Sequence, residues 1–185
     1  MNIIIILSLI SMLFADENYK EVEYLLLSKE DNIEIREYGT NIIAKITTTA
    51  NDGESENDMF IVLFKYIFGD NNKNEKIPMT TPVTTYQSDD IKTMIFYMLD
   101  SDTLNSLPLP NNNNISLEKF SLGKCAVIKF SWYTPNFKIK RYQNKLNEYL
   151  INNGIEKISS FMLNRYNEPW TIPFLRRNEI IVRIK

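Results

Sequence analysis

Tyr166-Asn167-Glu168-Pro169-Trp170-Thr171-Ile172-Pro173-Phe174-Leu175-Arg176-Arg177-Asn178-Glu179-Ile180 divides the last strand-like segments of this chain. Two prolines four residues apart forbid a regular helix or a central strand here. Trp170 and Phe174 therefore sit on a loop, and large apolar side chains on a loop either plug the core or wall a pocket. Arg176 and Arg177 follow at once and can hold an anionic group by forked hydrogen bonds. Apolar plates beside paired cations suit a flat, greasy ligand with carboxylates. The simpler reading is a loop pinned to the core with solvated arginines, and the local sequence leaves both open.

On either side of this loop, Ile158 to Tyr166 and Glu179 to Ile184 read as closing strands. Before them, Pro135 favours the start of a helix running to about Asn153, with Gly154 beyond its end. Ser116 to Phe120 and Cys125 to Trp132 read as strands. The first half has the same order. Val22 to Ser28, Ile33 to Tyr38 and Ile42 to Thr49 read as strands, with a turn expected at Gly39. Ser55 caps a helix to about Phe68, Asp58 stands where a capping box needs an acceptor, and Gly69 is placed to end the helix. Strands follow near Met79 to Tyr86 and Thr93 to Met98. Strands, helix, strands, then the same again, argues α+β, with two helices on one antiparallel sheet system.

The 185 residues fit one domain, and 44% hydrophobic with 24% charged residues is a globular composition. A net charge of −2 supplies no overall basic excess for nucleic acid or a membrane surface, so neither is expected as a general partner. The chain has no histidine, which excludes a Ser-His-Asp triad, a histidine-ligated zinc and a proximal histidine on haem iron. Its single cysteine, Cys125, excludes an intramolecular disulfide and reads as a buried, inert thiol. Ile3 to Phe14 is almost wholly apolar but too short for a comfortable span of about 20 residues. With the small Ala15 before Asp16-Glu17-Asn18 it reads as a secretory signal over residues 1–15. An uncleaved anchor and a buried N-terminal element are the alternatives. The expected mature protein is secreted or lumenal, without stable membrane insertion. Asn114-Ile115-Ser116 is a glycosylation acceptor consistent with that route.

The two helical segments differ. In the second, Ile139, Tyr142, Leu146, Tyr149 and Leu150 share one arc, and Asn144, Asn147 and Glu148 point away. The first has no polar back. Met59, Val62, Leu63, Tyr66 and Ile67 form one apolar arc, and Phe60, Ile61, Phe64 and Phe68 a second. A helix apolar all round must be covered all round. The second arc is then met by the Trp170–Phe174 loop, by a second subunit or protein partner, or by a planar ligand between helix and loop.

The C-terminal loop resembles the signature of the SOUL haem-binding protein family. Further blocks agree in order: Ile35-Arg36-Glu37-Tyr38, Leu63-Phe64-Lys65-Tyr66-Ile67-Phe68-Gly69, Lys76-Ile77-Pro78-Met79-Thr80-Thr81-Pro82-Val83, Phe96-Tyr97-Met98 and Ala126-Val127-Ile128-Lys129-Phe130-Ser131. In the Phe96-Tyr97-Met98 block the family's usual following proline is Leu99. The resemblance covers residues 21–185. It implies a distorted antiparallel β-barrel flanked by two helices, with two pseudo-symmetric halves of ββαββ type. It also implies a ligand region at the first helix and the C-terminal loop. The expected function is non-covalent binding of haem or another porphyrin by a non-catalytic carrier or scavenger. Phe60, Phe64, Phe68, Trp170 and Phe174 would line the groove, and Lys65, Arg176 and Arg177 would meet the propionates. Met59, Tyr66, Tyr166 and Cys125 are the available axial donors, and binding is expected to rest on porphyrin contact rather than on iron ligation. Two alternatives stand beside this: a protein-interaction module using the same helix face, and a small-molecule hydrolase with Glu168 and Glu179 as an acid–base pair.

Overall fold

The computed structural model describes residues 19–49, 53, 55–101 and 103–185; the segment read as a signal, 1–15, lies outside them. The elements run β1 (Lys20–Glu21), β2 (Tyr24–Glu30), β3 (Ile33–Thr49), α1 (Glu56–Ile67), β4 (Thr80–Thr81), β5 (Val83–Ser88), β6 (Ile91–Tyr97), β7 (Ile115–Phe130), α2 (Asn136–Asn152), β8 (Met162–Arg165) and β9 (Asn178–Arg183). The order β3-β6-β5-β8-β9-β7 returns to β3 through the β3–β7 ladder, which closes a six-stranded antiparallel barrel. β2 lies outside the ring on β3, and β1 pairs with β4 in a short parallel ladder.

Two long strands replace four expected short ones. β3 passes through Gly39 without turning: its first part pairs with β2 up to Tyr38, its second part with β6 from Ile43, and both parts pair with β7. Gly39 marks an exchange of partners. β7 is likewise continuous through Gly123, whose φ of +63° is open to glycine at little cost. The second half is therefore strand, helix, strand, strand. β8 is shorter than the segment expected from Ile158 to Tyr166, and the proposed strand from Met79 to Tyr86 is divided into β4 and β5 around Pro82, whose peptide bond with Thr81 is cis.

Period-2 alternation sorts the strand residues into three apolar layers. Ile43, Ile95, Tyr97, Cys125, Val127 and Ile181 pack together in one cluster, and their sequence neighbours point the other way. Ile42, Ala44, Ile46, Met94 and Phe96 receive α1 through Met59, Leu63, Tyr66 and Ile67. Ala126, Ile128, Ile180 and Val182 receive α2 through Leu146 and Leu150. Each large apolar side chain buried this way contributes about 1.5–3 kcal/mol. α1 starts as its sequence dictates: Ser55 Oγ accepts from the Asp58 amide at 3.3 Å, and the Ser55 amide donates to Asp58 Oδ2 at 2.9 Å.

Candidate functional site

α1 buries one arc and leaves the other partly open. Phe60, Phe64 and Phe68 recur every four residues and stack along the helix, with ring centroids 5.7 and 4.2 Å apart. Phe60 is anchored edge-on against Phe96 of β6 at 5.4 Å. Exposure rises along the row, to 36% at Phe64 and 53% at Phe68. The barrel takes the opposite arc and the inner edge of Phe60, and Phe64 and Phe68 are left open.

Beside Phe60 and Phe64 lies a cavity of about 540 Å³, within the usual range for small-molecule sites. Glu56, Asn57, Phe60 and Phe64 of α1 form one wall. Met79, Thr81, Val83 and Met94 form its floor against the barrel. Arg165 to Trp170 form the facing wall, and Tyr19 closes one side. Of the residues expected to line a groove, the structure brings Phe60, Phe64 and Trp170 to one cavity. Phe68 continues the aromatic row beyond it, and Lys65 and Phe174 are exposed outside its lining.

The two loop arginines are engaged elsewhere. Arg176 donates to the carbonyl oxygens of Thr171, at 2.8 Å, and Pro169, which ties together the loop that carries Trp170. Arg177 donates to Glu21 at 2.8 Å and Glu179 at 3.1 Å and lies 3.7 Å over the Tyr166 ring. The cation that does line the cavity is Arg165, which pairs with Glu56 at 2.9 Å and donates to Thr85 and Thr134 at 3.2 Å. Sequence reading passed over Arg165 because nothing local sets it apart from any other strand-end cation. Met79 and Val83 had a signal, since both fall in the block Lys76 to Val83 quoted above.

Behind the facing wall is a buried ionic network. Glu179 is fully buried and accepts from Arg36, Arg177 and the Tyr166 hydroxyl, the last at 2.8 Å. Burial alone would raise the Glu179 pKa, but the charges and hydrogen bonds of Arg36 and Arg177 outweigh it and hold the carboxyl below the usual range. The Tyr166 phenol is pushed well above its ordinary value, first by burial and then by the charge of Glu179. Tyr166 thus lines the cavity as a neutral phenol whose proton is committed to Glu179. Glu179 is thus committed to two arginines, Arg36 and Arg177. Glu168 accepts from the Tyr19 hydroxyl at 2.7 Å, and Glu179 is outside the cavity lining, so the two carboxylates do not face one space.

Of the donors considered for iron, Met59 and Tyr66 lie on the buried arc of α1, where the Tyr66 hydroxyl donates to Pro108 O at 3.0 Å. Cys125 is sealed among the apolar residues of the barrel. Met79 and Met94 reach the cavity wall. The residues present fit a tetrapyrrole by its faces: aromatic and aliphatic groups supply most of the wall, with Arg165 as the adjoining cation.

Several solved structures share the fold at low identity. A hydrolase from Listeria innocua aligns with a TM-score of 0.61 and 10% identity, covering 86% of this chain and 94% of its own. The C-terminal domain of EcmrR aligns at 0.65 and 11% identity, covering 88% and 98%. An uncharacterized conserved protein from Listeria innocua aligns at 0.59 and 9% identity, covering 85% and 94%. These establish a shared architecture. No curated protein matches the sequence. The family model described as SOUL heme-binding protein matches residues 19–183, nearly the whole chain, and with the closed barrel, the two helices and the aromatic cavity in place, the chain belongs to the SOUL heme-binding protein family.

Proposed function

We propose that the chain is a non-catalytic carrier or scavenger that holds haem or another porphyrin in the groove between α1 and the Pro169–Trp170 loop, without histidine ligation. One observation carries this reading: Phe60 and Phe64 line a single cavity of about 540 Å³ together with Pro169 and Trp170. A macrocycle there replaces water on exposed aromatic surface. Covering about 200 Å² of apolar area contributes several kcal/mol at about 25 cal/mol per Å². Arg165 is the cation placed to meet a propionate, in exchange for part of its pairing with Glu56. A porphyrin's central metal adds a Lewis-acid centre, and this chain's contribution is the apolar slot, the cation and the exclusion of water.

The test is an absorption titration with haem and with metal-free protoporphyrin IX. Comparable binding of both is expected, because the walls contact the ring and not the metal. Binding of haem alone, or of neither, overturns the reading. We also place the protein in the secretory pathway, on the apolar Ile3 to Phe14 segment. N-terminal sequencing that retains Met1 overturns cleavage of residues 1–15.

A further inference from the structure

A second aromatic surface adjoins the porphyrin cavity, sharing Trp170 with it, at the end of the molecule where β7 leads into α2. Trp132, Tyr133, Phe137, Trp170, Phe174 and Leu175 are all between 53 and 77% exposed. Their two segments are joined. The Trp132 amide donates to Pro173 O at 2.8 Å, Asn178 Nδ2 donates to Trp132 O at 2.8 Å, and the Arg176 guanidinium lies 4.7 Å over the Tyr133 ring. Trp132 has a φ of +79°, a region that bulky side chains rarely adopt. The backbone is thus held in a disfavoured conformation at a side chain that faces solvent, so burial in the core does not account for it.

The two segments that carry this surface are basic. From Cys125 to Asn147 the sequence contains lysines and an arginine and no acid, and from Pro169 to Asn178 it contains two arginines and no acid. Lys138, Lys140 and Arg141 open α2 beside Phe137, and Arg176 stands in the other segment. The neighbouring acids are engaged: Glu168 is partly buried against Tyr19, and Glu56 pairs with Arg165 at 2.9 Å. A chain of net charge −2 therefore carries a local basic field where its apolar side chains protrude.

We infer that this face docks on an anionic lipid bilayer, with the aromatic and leucine side chains in the headgroup–acyl boundary and Lys138, Lys140, Arg141 and Arg176 at the lipid headgroups. Tryptophan and tyrosine favour that boundary because each has an apolar body and a polar edge. Basic residues around an apolar face add attraction to anionic lipid. A second copy of the chain fits less well, because a twofold interface brings the same patch, and so the same cations, together. Among the described residues no helix is long and apolar enough to cross a membrane, so the docking is peripheral.

Both tryptophans of the chain lie in this face, so intrinsic fluorescence reads it directly. The full chain, without porphyrin, is titrated with phosphatidylcholine vesicles with and without phosphatidylserine. A blue shift of the emission and quenching by brominated acyl chains are expected on the anionic vesicles, weakening as salt rises. Lys140→Glu with Arg141→Glu, and separately Tyr133→Ser with Phe137→Ser, keep both reporters and are expected to weaken vesicle binding about tenfold or more. Four results would overturn the inference: unchanged emission while the chain sediments with vesicles through its apolar N-terminal segment, unchanged emission without sedimentation, equal response to neutral and anionic vesicles, or a shift that grows with protein concentration in the absence of lipid. The substituted residues lie outside the porphyrin cavity, so failure here leaves the porphyrin titration unaffected.

Discussion

Arg36 holds Glu179 through two parallel hydrogen bonds of 3.0 Å, although 143 residues separate them. They tie β3 to β9, strands that β7 separates in the barrel. Arg36 also donates to Glu34 at 2.9 Å and Tyr38 at 2.7 Å and lies 4.0 Å over the Tyr24 ring. No buried polar side-chain atom among the described residues lacks a partner. A buried charge is tolerable only when so compensated, and removing one member strands the rest.

Arg36→Met is therefore expected to destabilise the fold by about 3–5 kcal/mol, because Glu34 and Glu179 are left buried without their shared cation. Denaturant titration measures it. A loss under about 1 kcal/mol would show that water or rearrangement replaces the guanidinium easily.

Acid should release the same network. Burial favours raising the Glu34 pKa, yet hydrogen bonds and charges from Lys129 and Arg36 bring it down from the ordinary 4.5 to about 2. Glu179 shifts in the same direction. A depressed folded-state pKa contributes stability that is present above the unfolded value and is lost as pH falls through the folded one. The melting temperature is expected to drop between about pH 4.5 and pH 2, and to drop less steeply in Glu34→Gln. Identical profiles for the two proteins would assign the loss to other carboxylates.

Phe64→Asp puts a charge in the cavity wall at a half-exposed position, so folding should survive while porphyrin affinity falls. The loss of one buried aromatic contact corresponds to about tenfold to a hundredfold in affinity. Ile151→Asp, on the exposed side of α2, should leave the titration unchanged. Equal effects of both substitutions would remove the groove from consideration.

Burial pushes the Cys125 thiol up to about 12, so almost no thiolate exists at neutral pH. Iodoacetamide is expected to leave the native protein unmodified and to label it fully in denaturant. Rapid labelling of the native protein would mean that the barrel opens often.

Local chemistry made the helices legible. Ser55 and Asp58 announce the start of α1, and the arcs of Leu63 and Leu146 point to the sheet as found. The two apolar sides of α1 also indicated a second arc beyond the sheet's reach; Phe64 and Phe68 are left open in this way, whereas Phe60 meets Phe96 of β6. Gly39 and Gly123 misled, since a glycine within a strand resembles a turn when its partner strands are unknown. Closure of the barrel was not readable from local pattern, because it rests on Ile33 to Ile46 pairing with residues 115–128. Arg177 illustrates the same difficulty on a smaller scale. In the sequence it stands beside Arg176 as a second free cation, but β9 begins one residue later and turns it towards Glu179 and Glu21.

β9 is made of residues 178–183 and lies between β7 and β8. The ring consequently stays open until residues 178–183 have been made, and a nascent chain that still lacks them presents two unpaired strand edges. A truncation just before Asn178 would remove a stave rather than trim a tail, leaving those edges free to recruit other chains.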